Sequence, residues 1–253
     1  MKLRLLTSVL TLGILLVGCG NEAVNDASKE KEKTEQTVGS SQKEVKEAEM
    51  SFDVTGEVSY PIYNDVMEET NVSYFAEITN TGDVPIDVTD ANVTFTDKDG
   101  TVIGTSDSSN VWASPHIVEP GKKAYLSTSE TIDGTVDTYG KGELTLAPVE
   151  AIDAVEELPI EGNSGKVDTY IYINGKVKNT TETETDYVTI AAGIYDKDGK
   201  FVGATYGQVD TLLKPGLSVG FESNAFEIPY ENIPPEFDYE VLAYTYPSYG
   251  VDE

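Results

Sequence analysis

From Phe52 onward the chain alternates apolar and polar residues in short runs. Phe52, Val54, Val58 and Tyr60 keep this rhythm around Gly56, and Val72, Tyr74, Ala76 and Ile78 keep it up to an Asn80-Thr81-Gly82-Asp83 turn cluster. Val84, Ile86 and Val88 follow, then Ala91, Val93 and Phe95 after a reset of phase. A period of two predicts half-buried strands, and clusters of Asn, Asp, Gly and Pro between them predict turns. Val102-Ile103, Ala124, Leu126, Leu144 and Leu146 supply further strands. The later part repeats the theme with Tyr170 to Val177, with Val188, Ile190, Ala192 and Ile194, with Phe201-Val202, and with Tyr239, Val241 and Ala243. Many short strands without a sustained helical period predict antiparallel β-sandwiches.

One stretch occurs twice. Asn80 to Gly104 and Asn179 to Gly203 both open with Asn-Thr, carry Asp-Lys-Asp-Gly and close on Gly, at a constant offset (179 − 80 = 99). Pro120-Gly121 recurs as Pro215-Gly216 at a smaller offset (215 − 120 = 95), so the second copy has lost four residues between hairpin and turn. An internal duplication of this length predicts two copies of one small β domain, at 51–148 and 165–253. The segment 149–164 reads as a linker. Its apolar residues at 149, 152, 155 and 158 fall three apart, which suits a short helix or a turn.

The N-terminal part has another character. Lys2 and Arg4 precede an apolar run from Leu5 to Val17, too short for a comfortable membrane span, as in a signal peptide over 1–18. Leu16-Val17-Gly18-Cys19 resembles the lipobox of bacterial lipoproteins. That resemblance implies cleavage before Cys19 and a diacylglyceryl group on its sulfur; the competing reading is an ordinary signal peptide with a chance Cys. Two acyl chains suffice for stable anchoring in a bilayer. From 19 to 50 the lipidated Cys and a polar, mixed-charge stretch form an expected disordered tether, because too few apolar side chains are present to offset the entropy of ordering. The implied setting is the extracytoplasmic face of a cell membrane, lipid-anchored, in a Gram-positive organism.

Composition narrows the chemistry. The net charge of −28 opposes binding to nucleic acid and anionic lipid. It would suit a cationic ligand or simply a solvated surface. One Cys and one His argue against a disulfide framework, a zinc site or a Ser/His/Asp centre. No cofactor is expected.

The repeat is similar to the FxLYD module of bacterial lipoproteins, whose strand ends in Phe-x-Leu-Tyr-Asp before a Lys-Asp-Gly turn. The second copy reads Ala192-Gly193-Ile194-Tyr195-Asp196, with Ile for Leu and Ala for Phe. The first copy, Val93-Thr94-Phe95-Thr96-Asp97, keeps only an apolar-x-apolar-x-Asp frame. The likeness covers about 60 residues of each copy, at the scale of a small sandwich domain. It implies two tandem immunoglobulin-like antiparallel β-sandwich domains and no shared catalytic residues.

Each candidate feature has two readings. Asp-Lys-Asp-Gly resembles the start of a calcium loop, yet strand residues follow at once, which fits a hairpin turn. Asn80 and Asn179 suit turn caps. Trp112 and His116 occur in the first copy alone. Ordinary burial tendencies make them a core Trp and a surface His; a binding loop is the other reading. Tyr outnumbers Phe, 15 to 7, and Tyr244 and Tyr246 belong to a Tyr-rich C-terminal stretch that is either a binding face or strand packing. The expected function is non-catalytic: an anchored interaction or accessory protein of the envelope, whose partner is an envelope protein or a small ligand. The alternative is an anchored receptor that holds a small cation or calcium in acidic loops.

Overall fold

The computed structural model describes residues 49–225 and 227–247. The expected signal peptide, Cys19 and the tether through residue 48 lie outside the described residues. Among the described residues there are β-strands and one 3-10 turn, Tyr230–Asn232, but no α-helix. No helix among them is long and apolar enough to cross a membrane.

The first copy contains β1 (Phe52–Asn64), β2 (Glu69–Asn80), β3 (Ile86–Asp87), β4 (Ala91–Asp97), β5 (Val102–Ser106), β6 (Trp112–Ser114), β7 (Ile117–Val118), β8 (Lys123–Ile132) and β9 (Tyr139–Leu146). One sheet runs β1-β2-β8-β6 and a second runs β5-β4-β9, all pairings antiparallel. Their shared core holds Val72, Tyr74, Ala76 and Ile78 from β2, Val93 and Phe95 from β4, and Ala124 and Leu126 from β8. These are the alternating positions of the sequence, and period two places them on one face. The first copy's contacts reach back to Glu49, slightly before residue 51: the Asp83 amide bonds to the Glu49 carbonyl and the Thr81 amide to that of Ser51.

The linker segment does not form a helix. Val149–Glu150 (β10) pairs with β3, Glu156–Glu157 (β11) pairs with β17 below, and β12 (Ile160–Val167) has begun by residue 160. The three-residue spacing has no common face, because Ile152 is exposed while Leu158 is buried.

The second copy adds β13 (Ile171–Lys178), β14 (Val188–Asp196), β15 (Phe201–Val209), β16 (Ser218–Asn224) and β17 (Phe237–Thr245), in the sheet order β11-β17-β14-β15-β16-β13-β12. The half β17-β14-β15 repeats β9-β4-β5, and the half β16-β13-β12 repeats β8-β2-β1. Among the described residues a single register pair, Tyr206–Asn224, joins the halves as strands. In the first copy the strand matching β15 is broken into β5 and β6 by the turn at Asp107–Val111, whose Asp107 carboxylate accepts the Ser109 amide at 3.0 Å. The four extra residues of the first copy fall in this region.

The repeated residues make repeated turns. Asn80 Nδ2 donates to the carbonyls of Val84 (2.8 Å) and Val118 (2.7 Å), and its Oδ1 accepts the Gly82 amide. Asn179 donates to Thr183 and Leu213 at the same distances and accepts the Thr181 amide. Asp97 Oδ1 accepts the amides of Asp99 and Thr101; Asp196 Oδ1 accepts those of Asp198 and Lys200. The following Gly100 and Gly199 have φ of 84° and 78°, where a glycine costs least. The Asp-Lys-Asp-Gly segments are therefore hairpin turns that use their own first carboxylate.

Strand β2 is buried on both faces. Ser73, Phe75 and Glu77 point away from the first core, and Phe75 joins the second copy's core cluster together with Tyr60 and Tyr125. Across this junction the Tyr60 hydroxyl donates to the Val202 carbonyl at 2.7 Å. Gly193 leaves room for a ring: a Cβ there would lie 2.5 Å from Tyr125 Cε1. The two copies thus share apolar packing, and the described residues of both belong to one compact unit.

Candidate functional site at the junction of the copies

A cleft of about 610 Å³ opens where the copies meet. The first copy contributes Thr89, Ser108 and the run from Val111 to Ser114 with His116; the second contributes Asp186, Tyr187, Thr189 and Tyr246. The placement follows from register. Trp112 lies opposite Ser127 and Ser114 opposite Tyr125, while Ala113 lies opposite Leu126 of the first core. Side chains alternate across a sheet, so Trp112 and Ser114 stand on the face turned toward the second copy. β6 is the last strand of its sheet, and Trp112 is left 57% exposed at the margin of the junction.

Trp112 is therefore not the core residue that ordinary burial would suggest. The first copy's core is filled by Tyr74 and Phe95, and the β6 register turns Trp112 outward. His116 is half-buried rather than a plain surface residue. Its ring stacks on Tyr246 with centroids 4.4 Å apart and planes at 22°, and its amide donates to the Tyr246 hydroxyl at 3.3 Å. Burial holds the His116 imidazole below the usual histidine range, against the opposing pull of Asp87 and Asp153.

Three of the four residues proposed from sequence for binding, Trp112, His116 and Tyr246, come together in this cleft. Tyr244 does not line it. It lies in β17 opposite Glu157 and Thr189, is 3% exposed, and has a buried hydroxyl with no hydrogen-bond partner among the described residues. Burial, then the charge of Glu157, pushes its phenol well up. Tyr244 belongs to the packing.

Two smaller hollows, of about 230 and 220 Å³, also touch Trp112. Both are lined by Tyr206, and the larger adds Phe75, Ser127 and Glu227. Asp186, Tyr187, Thr189, Tyr206 and Glu227 were not singled out from the sequence as a site, because tertiary docking alone brings them beside Trp112. The cleft and the two hollows beside it can offer aromatic surface, hydroxyls and the carboxylates of Asp186 and Glu227 to a bound group. Among the described residues no group of three or more His, Cys, Asp or Glu side chains is placed to hold a metal ion.

A scan of the sequence against protein-family models gave no match, and no curated protein was found to match it.

Proposed function

We propose that this chain is a non-catalytic, lipid-anchored binding protein of the extracytoplasmic membrane face, built from two immunoglobulin-like, FxLYD-like modules. Cys19 would carry the acyl chains, and residues through 50 would lift the modules from the bilayer. The modules would recognise an envelope partner through the cleft they form together. The observation that carries this reading is the exposed Trp112 in a concave site lined by both copies. Exposed aromatic residues in concave, largely apolar sites are favoured as recognition points.

The test uses the full-length protein in its own cells. A photo-crosslinking residue at position 112 is compared with one at position 63, where Tyr63 is exposed on the far β1–β2 hairpin. The reading expects one dominant adduct specific to position 112, in the membrane fraction, and loss of membrane retention in Cys19→Ser. Identical adducts from both positions, or membrane retention unchanged by Cys19→Ser, would overturn it.

A further inference from the structure

Trp112 is the hub of three hollows, and the charged groups around it have one sign. Asp186 lines the main cleft and Glu227 the hollow beside Tyr206. No Lys or Arg lines any of the three among the described residues. Glu227 is half-buried and has neither an ion pair nor a hydrogen bond among the described residues. A carboxylate taken partly out of water without a partner is unfavourable, and a cation placed beside it would relieve that cost. Burial alone pushes the Glu227 carboxyl upward. Thr189 supplies a second polar group: it is nine-tenths buried, lines the main cleft and the smaller hollow along Trp112 and Tyr206, and its Oγ1 has no hydrogen-bond partner among the described residues.

Aromatic faces complete the pattern. Trp112 and Tyr206 line the hollow that holds Glu227, and an aromatic face attracts a cation through its quadrupole. The main cleft is within the size range of small-molecule sites. We infer that the junction binds a small organic cation, an amine with an apolar body, seating the charged nitrogen between Glu227 and the rings of Trp112 and Tyr206 and laying the body along the main cleft. This deepens the binding-protein reading and rests on the same cleft. The wider negative charge of the protein would draw such ligands in.

Trp112 is the sole tryptophan, so its fluorescence reports directly on the hub. The full-length protein is titrated at constant ionic strength with 2-phenylethylamine and with its neutral analogue 2-phenylethanol. A saturable change with the amine, at least about tenfold tighter than with the alcohol, is expected. Glu227→Gln should weaken amine binding by about tenfold or more without lowering the melting temperature, and should leave the alcohol unaffected. Three results would overturn the inference: equal affinity for amine and alcohol, amine affinity unchanged in Glu227→Gln, or no response up to about 10 mM. If the inference fails while the adduct at position 112 still forms on cells, the cleft is a recognition site for a partner that is not a small cation.

Discussion

The phenol of Tyr195 donates its hydrogen to the carboxylate of Glu77, across the junction of the two copies. Glu77 is 4% exposed and also accepts from Thr55 Oγ1 at 2.6 Å; Lys123 Nζ lies 3.4 Å from it and 2.7 Å from Glu240. The Tyr of the second copy's repeat motif is thus a docking residue, and its acceptor is a buried acid on the central strand of the first copy.

Breaking this contact should loosen the junction. Tyr195→Phe removes one hydrogen bond to a charged group and should cost about 1.5–3 kcal/mol, and Glu77→Ala, which strands the neighbouring donors, about 3 kcal/mol or more. Urea unfolding of the single and double variants would measure both. Because the two side chains touch, the double variant should lose less than the two single losses together.

Asn80→Ala and Asn179→Ala should each destabilise by about 2–3 kcal/mol, since each side chain serves three backbone groups in a buried turn. Asn80→Asp should be no better than alanine. It keeps the acceptor for the Gly82 amide but turns an oxygen toward the Val84 and Val118 carbonyls. Thermal melts of the three variants decide this.

Gly193→Ala should cost about 1–3 kcal/mol through overpacking against the Tyr125 ring. Gly100→Ala, with open space around it and φ of 84°, should cost only about 1 kcal/mol from backbone strain. Adding Tyr125→Ala should reduce the Gly193→Ala penalty and leave the Gly100→Ala penalty alone, measured by the same melts.

His116 and Glu227 give opposite pH signatures. The folded protein holds His116 below its ordinary value of 6.5, so the unfolded chain binds the proton first as pH falls. Stability from the neutral ring is full above that value and is lost through the interval below it. Relative to His116→Phe, the native protein should therefore lose stability on going from pH 7.5 to 5.5. Glu227 is raised above its ordinary 4.5, so its charged form penalises folding above the folded value and not below the ordinary one. Glu227→Gln should accordingly gain stability at pH 7 and lose that gain near pH 4, as followed by urea unfolding at each pH.

The alternation of Val72, Tyr74, Ala76 and Ile78 marked an inward face, and the duplicated Asn, Asp and Gly residues marked turns; both are local signals. The other face of β2 was not legible, because Ser73, Phe75 and Glu77 are a polar, an aromatic and an acidic residue that only docking buries. Strand β12 escaped notice because it is an outer strand with mostly exposed, polar residues. Of the two readings of the 149–158 spacing, helix or turn, no helix forms, for a related reason: the spacing records composition, while of its four apolar residues Leu158 alone enters a core cluster. Trp112, His116 and Tyr246 could be picked out as unusual, but their meeting could not. Nothing local in the chain relates residue 116 to residue 246.

The most direct test of a site built jointly by two docked copies is equilibrium unfolding followed by two probes. Trp112 fluorescence reports on the first copy and the junction, and far-ultraviolet circular dichroism reports on the strands of both. Docking through Phe75, Tyr125 and the Glu77–Tyr195 contact predicts one transition with coincident midpoints and slopes. Two separated transitions, with the Trp112 signal changing while half of the strand signal persists, would contradict it.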